Sequence, residues 1–200
     1  MNPLTPASAH AVDKIISPAS AANPLADLYC QLGLVMDGIW FLELEKRVGF
    51  DKAYEIDEAV WRIYPRKEAK RIRTHLGLIP GQPITLTQLS QCFSLSLFNQ
   101  TLGYELAVIT AGIAPGQSTR GLVLDFKVKT CKSCEGMRKM GRSPHQIHKI
   151  CKGIETVTLS NFLDELVPGV KVTCNWCPHE EQNKPAGSEE LCSWRLTFPD

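Results

Sequence analysis

Two runs near the middle of the chain, YELAVITAGIA (residues 104–114) and RGLVLDFKVKT (residues 120–130), decide how the rest is read. Both are rich in β-branched, aromatic and other apolar residues, and the intervening PGQS (residues 115–118) is a turn-forming connection. Together they predict an antiparallel hairpin. On the N-terminal side of this point the apolar residues recur at helical spacing. On its C-terminal side short β-rich runs alternate with turns and cysteines.

Upstream, Asn23-Pro24 supplies an N-cap followed by proline at the first helical position. A helix from there to about Val48 carries Leu28, Leu32, Val35, Ile39 and Leu42 as one apolar stripe, with Gly49 as its C-cap. Asp51 is expected to cap a second helix on which Ala53, Ile56, Val60 and Ile63 recur, and Pro65 to kink or divide it before EAKRIRTHLGL. Thr85 starts a third helix with Leu89, Phe93 and Leu97 on one face. Downstream, CKSCEGMRKMGRSPHQIHKIC (131–151) predicts one or two short helices between thiols, and TLSNFLDELVPG (158–169) another. VKVTCNW (170–176) and LCSWRLTF (191–198) predict two further strands joined by an exposed loop. The fold class is therefore α+β: an N-terminal helical half, then a small antiparallel sheet carrying a cysteine-rich metal site. Residues 1–23, rich in Ala, Ser and Pro, read as a flexible arm; 24–102 as the helical region; 103–200 as a Cys-rich α+β region packed with the helices as one domain.

Lys plus Arg total 22 against 21 for Asp plus Glu, which gives no electrostatic reason to expect nucleic acid or an anionic membrane as partner. The longest apolar run, Leu32 to Met36, is too short to span a bilayer. The N-terminus has no basic flank leading into an apolar core, so the chain reads as cytoplasmic.

A reducing compartment disfavours structural disulfides, so the distribution of the eight cysteines is informative. Cys30 and Cys92 sit alone within helical patterns and read as small core residues. Cys131, Cys134, Cys151, Cys174, Cys177 and Cys192 all fall in the last third. Cys131–Cys134 and Cys174–Cys177 are C-x2-C steps, in which one turn can present two sulfurs to one metal ion or cluster. A hairpin of 170–176 with 191–198 brings Cys192 back beside the second step, so Cys174, Cys177, Cys192 and Cys151 are the expected ligands, with Cys131 or Cys134 in reserve. The expected cofactor is an iron–sulfur cluster of the 4Fe-4S type, because there are more thiols than zinc needs and Pro178 follows Cys177; zinc is the alternative. His145 and His148 read as part of a solvated basic stretch, whereas His179 is the better candidate for a contact to the site. Arg138, Lys139, Arg142, Lys149 and Lys152 could offset the charge of a thiolate–metal centre or meet a small anionic substrate.

The helical half offers Asp37, Glu45 and Asp57 as candidate catalytic carboxylates, with salt bridges as the structural alternative. Asp57 and Trp61 form an i, i+4 pair, and Glu68 and Arg71 are placed for an ion pair. The run DGxWFxxxE (37–45), Asp57, Trp61 and EAxRI (68–72), followed by Cys131, Cys151, C-x2-CP and a closing C-x-W-R-x-x-F (192–198), resembles a family of cytosolic proteins of unknown function. That family is itself distantly similar to L-2-amino-thiazoline-4-carboxylic acid hydrolase-like proteins. The resemblance implies a family role for Asp37, Trp40, Glu45, Asp57, Glu68, Arg71 and the C-terminal thiols. Three functions are therefore expected in parallel: a metal-thiolate protein with a redox, sensory or cluster-dependent enzymatic role; a small-molecule hydrolase acting on a cyclic C–N or C–S bond; and a non-catalytic module with structural zinc.

Overall fold

The computed structural model describes residues 14–16, 24–110, 116–180 and 183–200. Two long helices open the chain, α1 (Pro24–Val48) and α2 (Phe50–His75), with α3 (Leu86–Leu95) after them. Gly49 alone joins the first two. Its φ of 81° is open to glycine at little cost, its N–H bonds the Glu45 carbonyl, and its own carbonyl accepts from Ala53. Gly49, rather than Asp51, is thus the N-cap of α2, and Asp51 instead receives Lys149 at 2.7 Å. The expected cap Asn23 lies outside the described residues. Thr85 caps α3 as expected, in a reciprocal capping box with Gln88.

Pro65 neither divides nor ends α2, which runs unbroken through it. The proline is buried, and α2 lies along a later helix, α6 (Glu155–Leu166). Arg66 bonds Asn161, and Arg73 bonds both the backbone and the carboxylate of Glu165. Packing along this length outweighs the one backbone hydrogen bond that proline forfeits. The α1 stripe also differs from expectation. Leu28 and Leu32 are about half exposed, while Val35, Ile39 and Leu42 line the open side of a cavity.

A 3₁₀ turn (Asn99–Thr101) leads into the sheet, whose strands are β1 (Lys14–Ile16), β2 (Leu102–Val108), β3 (Val123–Cys131), β4 (Lys171–Trp176) and β5 (Cys192–Thr197). Among the described residues the order is β1-β2-β3-β5-β4, antiparallel throughout. The predicted hairpin is β2–β3, with β2 ending earlier than YELAVITAGIA suggested; residues 111–115 lie outside the described residues. The stretch 1–23, expected as a flexible arm, contributes β1 to the sheet edge, and the rest of it lies outside the described residues. No helix among the described residues is long and apolar enough to cross a membrane.

One sheet face builds the core. Leu124, Phe126 and Val128 on β3 stand opposite Leu196, Trp194 and Cys192 on β5, and Phe93 of α3 meets Tyr104, Phe126 and Phe162 ring to ring. Buried residues of the helices and the strands form one continuous cluster.

Between β3 and β4 run α4 (Lys132–Lys139), α5 (Pro144–Lys149), a π-helical turn (Ile150–Ile154) and α6. Ser143 and Gln146 form a capping box at α5, with Pro144 at its first position. Within the π turn Gly153 abuts α2 so closely that a Cβ there would overlap the Tyr54 hydroxyl. Gly153→Ala should therefore destabilise the fold by about 1–3 kcal/mol despite alanine's better helix propensity. Adding Tyr54→Phe removes the overlapping oxygen and should recover most of that loss in a denaturant double-mutant cycle; additive losses would refute the contact.

Candidate functional site

A cavity of about 490 Å³ opens between α1, α2 and the end of the sheet. Four thiols stand on its wall: Cys131, Cys134, Cys151 and Cys192. Each comes from a different setting. Cys131 ends β3 and is the N-cap of α4, its sulfur accepting the Cys134 N–H at 3.4 Å. Cys134 lies in the first turn of α4, Cys151 in the π turn, and Cys192 at the start of β5. The register is decisive for Cys131. Thr130 pairs with Gly103 but Val128 pairs with Tyr104, so Lys129 is an extra residue in the ladder. Strict alternation from Val128 would point Cys131 away from the core; the bulge returns it to the cavity face beside Val128 and Leu102.

Burial pushes the Cys131 thiol up to about 12, and raises Cys192 too, reinforced by the nearby Glu155 charge. The Cys151 thiol donates to Cys134, which holds Cys134 below the ordinary thiol value and Cys151 above it. Glu155, the first residue of α6, also lines the cavity. Its Oε1 is buried with no hydrogen-bond partner among the described residues, and desolvation, then the neighbouring Cys174 charge, lifts its carboxyl well above the usual range. The sequence carried one signal for Glu155: it lies four residues after Cys151, one turn along a helical face.

At the cavity's other end Asp37 and Asp57 face each other across α1 and α2, and the Trp61 indole N–H is shared between them. Desolvation raises Asp37 to about 6; desolvation and then the Asp37 charge raise Asp57 to about 7. Glu45, the third expected carboxylate, does not line the cavity. Arg142 grips it with two hydrogen bonds, 2.9 and 2.5 Å, while lying over the Phe41 and Phe50 rings. Glu68 accepts from Tyr64, Ser96 Oγ and the Leu97 N–H, so the Glu68–Arg71 pair expected from spacing is not formed; Arg71 turns to the Lys67 carbonyl. Trp40 is exposed.

Cys174 and Cys177, expected to share one ligand set with Cys192 and Cys151, are not among the cavity-lining residues, where Cys131 and Cys134 stand instead. Cys174 lies on β4 opposite Trp194, just before a bulge at Asn175, and Cys177 follows the strand. The chain then turns sharply. The Glu180 N–H bonds the Cys177 carbonyl at 3.0 Å, with Pro178 second in the turn and His179 third at φ 72°. This is the positive-φ geometry of a type II turn, usually occupied by glycine at that place. It folds Glu180 back so that Oε2 lies 3.4 Å from Cys177 Sγ, where His148 Nδ1 also approaches at 3.4 Å. Lys152 binds Glu180 Oε1 at 2.5 Å. His148, read from sequence as solvated, thus meets Cys177; no local pattern could have paired residues 29 positions apart. All eight cysteines are free thiols.

The Asp37–Asp57 pair sets a pH dependence. Both carboxyls titrate higher when folded than the ordinary 3.8, so the folded state binds more protons. Their contribution is complete below 3.8 and is lost as pH rises through 6 to 7. Between pH 5 and pH 8 the wild type should lose about 1 kcal/mol more stability than Asp57→Asn, a value reduced for the carboxyls' partial contact with water. Parallel stability–pH curves for the two proteins would contradict the assignment.

No curated protein and no solved structure matches the chain. A family model matches residues 24–198, from the first residue of α1 to just past β5. The chain belongs to that family, the family of unknown function DUF6125.

Proposed function

We propose that Cys131, Cys134, Cys151 and Cys192 hold an iron–sulfur cluster of the 4Fe-4S type, and that the adjoining cavity admits a small molecule to it. On this reading the protein has a redox, sensory or cluster-dependent enzymatic role. The spacing of the sulfurs carries the proposal. Four thiols frame one cavity, and although Cys134 and Cys151 are in hydrogen-bond contact and would part to admit a cluster, among the described residues no three of them come within 4.8 Å of one another. A single zinc ion draws its ligands into mutual contact, whereas a cluster places its own iron and sulfide atoms between the thiolates. The open volume in front of the thiols suits the second arrangement.

Hydrolysis of a cyclic C–N or C–S bond is a second reading, favoured by one observation. Asp37 and Asp57 lie on the same cavity and titrate near neutrality, as a general acid and base must. Lys132 on the cavity wall offers a cation to an anionic substrate. If this reading holds, Asp37→Asn abolishes turnover of a thiazoline carboxylate while iron content stays unchanged.

Purification without oxygen, with iron, sulfide and zinc assayed on one sample, tests the cluster. Brown protein with about four irons and four sulfides per chain is expected, lost in Cys192→Ser. Colourless protein whose cavity thiols hold zinc, zinc that disappears in Cys192→Ser, would overturn it and favour a structural zinc module.

A further inference from the structure

We infer a second metal site at the rim, in which Cys174, Cys177, His148 and Glu180 bind one Zn²⁺ ion, separate from the four cavity thiols. One ligand atom each from His148, Cys177 and Glu180 lies within 4.8 Å of the other two. Two contacts are tighter, Cys177 Sγ to His148 Nδ1 and Cys177 Sγ to Glu180 Oε2, each 3.4 Å; the other atoms of the two side chains, His148 Nε2 and Glu180 Oε1, are 3.7 Å apart. With metal–ligand bonds of about 2.0–2.3 Å, the edges of a tetrahedron are about 3.3–3.8 Å. The two contacts to Cys177 Sγ match those edges, and the remaining edge, within 4.8 Å, closes by a small side-chain adjustment when the ion binds. Cys174 lies outside the group within 4.8 Å, but its sulfur contacts that of Cys177, and a side-chain movement toward the ion makes it the fourth donor.

The donor inventory supports an ion at the centre of this group. Cys177 Sγ is surrounded by the Cys174 sulfur, by His148 Nδ1, which also lies 3.4 Å from the Pro178 carbonyl oxygen, and by the Glu180 carboxylate. Atoms that can ligate a metal thus surround one sulfur from three sides, a set that a divalent cation can gather as it displaces the thiol protons. Lys152 takes only Oε1 of Glu180, so Oε2 remains directed at Cys177. Two thiolates, an imidazole and a carboxylate match the borderline-soft preference of zinc, and four protein ligands make a closed site.

The fold supplies this set by local strain. His179 is, among the described residues, the one non-glycine with positive φ, and it closes the turn that returns Glu180 to Cys177. On the other side α5 presents His148. An ion bound here ties α5 to the segment following β4. Because Pro178 lines the cavity, the same ion fixes part of the cavity's wall.

The test uses the full-length chain, stripped of metal by chelator and titrated with Co²⁺ and then Zn²⁺. Wild type and the double variant Cys134→Ser/Cys192→Ser should each take up about one Co²⁺ with visible tetrahedral and thiolate-to-metal bands, displaced by Zn²⁺. His148→Ala and Glu180→Gln, which leave the sheet untouched, should weaken that binding about 100-fold or more, and Cys177→Ser should abolish the thiolate bands. Full Co²⁺ affinity in His148→Ala, or loss of binding in the cavity double variant with retention in Cys177→Ser, would overturn the assignment. Failure of the iron assay leaves this site unaffected, because its ligands are not those of the cluster.

Discussion

Lys129 is one residue more than the ladder between β2 and β3 can pair, and the chemistry of the molecule depends on where that residue is accommodated. Without the bulge Cys131 would leave the sheet on the face opposite Val128 and Cys192. With it, the end of β3 and the start of β5 offer their sulfurs to the same volume. Gly103, opposite Thr130, makes the bulge possible. Its N–H bonds Thr130 Oγ1, and a Cβ at this position would collide with that oxygen. A second bulge, at Asn175, follows Cys174 on the edge strand, and Asn175 turns to bond Asp125 and Ser193 on the other face. Two local irregularities in the pleat thus sort the sulfurs of three neighbouring strands.

The segment from α5 to α6 divides those sulfurs into two groups. Within eight residues it presents His148 and Lys152 to the rim, and Cys151 and Glu155 to the cavity. Each pair is spaced four residues apart, so one helical face carries His148 and Lys152 and the adjacent face Cys151 and Glu155, with the π turn at Ile150–Ile154 lying between α5 and α6. Glu155 Oε1, buried without a hydrogen-bond partner among the described residues, lies near Cys131, Cys174 and Cys192, where desolvation favours the protonated carboxyl.

Regularities of local sequence were legible; irregularities were not. The Thr85–Gln88 capping box, the glycine closing α1, the β2–β3 hairpin and the pairing of 170–176 with 191–198 all follow from patterns within a few residues of each other. The continuity of α2 through Pro65 does not, because it rests on contacts to α6 about ninety residues away. Nor does the place of Glu45, claimed by Arg142. The clustering of the late cysteines was visible as a count along the chain. Their division was hidden, since it depends on an extra residue at Lys129 and a left-handed His179, neither of which alters hydrophobic periodicity. Glu180 stood in a stretch that reads as an exposed loop, and only the turn at Pro178 and His179 brings it to Cys177.

The division of six thiols into four and two is the central claim, and X-ray absorption at the iron and zinc edges of one anaerobic sample tests it most directly. The account predicts an iron edge with sulfur neighbours alone plus iron–iron scattering, and a zinc edge with two sulfurs at about 2.3 Å and two lighter N/O neighbours at about 2.0–2.2 Å. A zinc edge with four sulfur neighbours, or an iron edge showing nitrogen and oxygen ligands, would mean that the sulfurs are shared differently and would contradict the account.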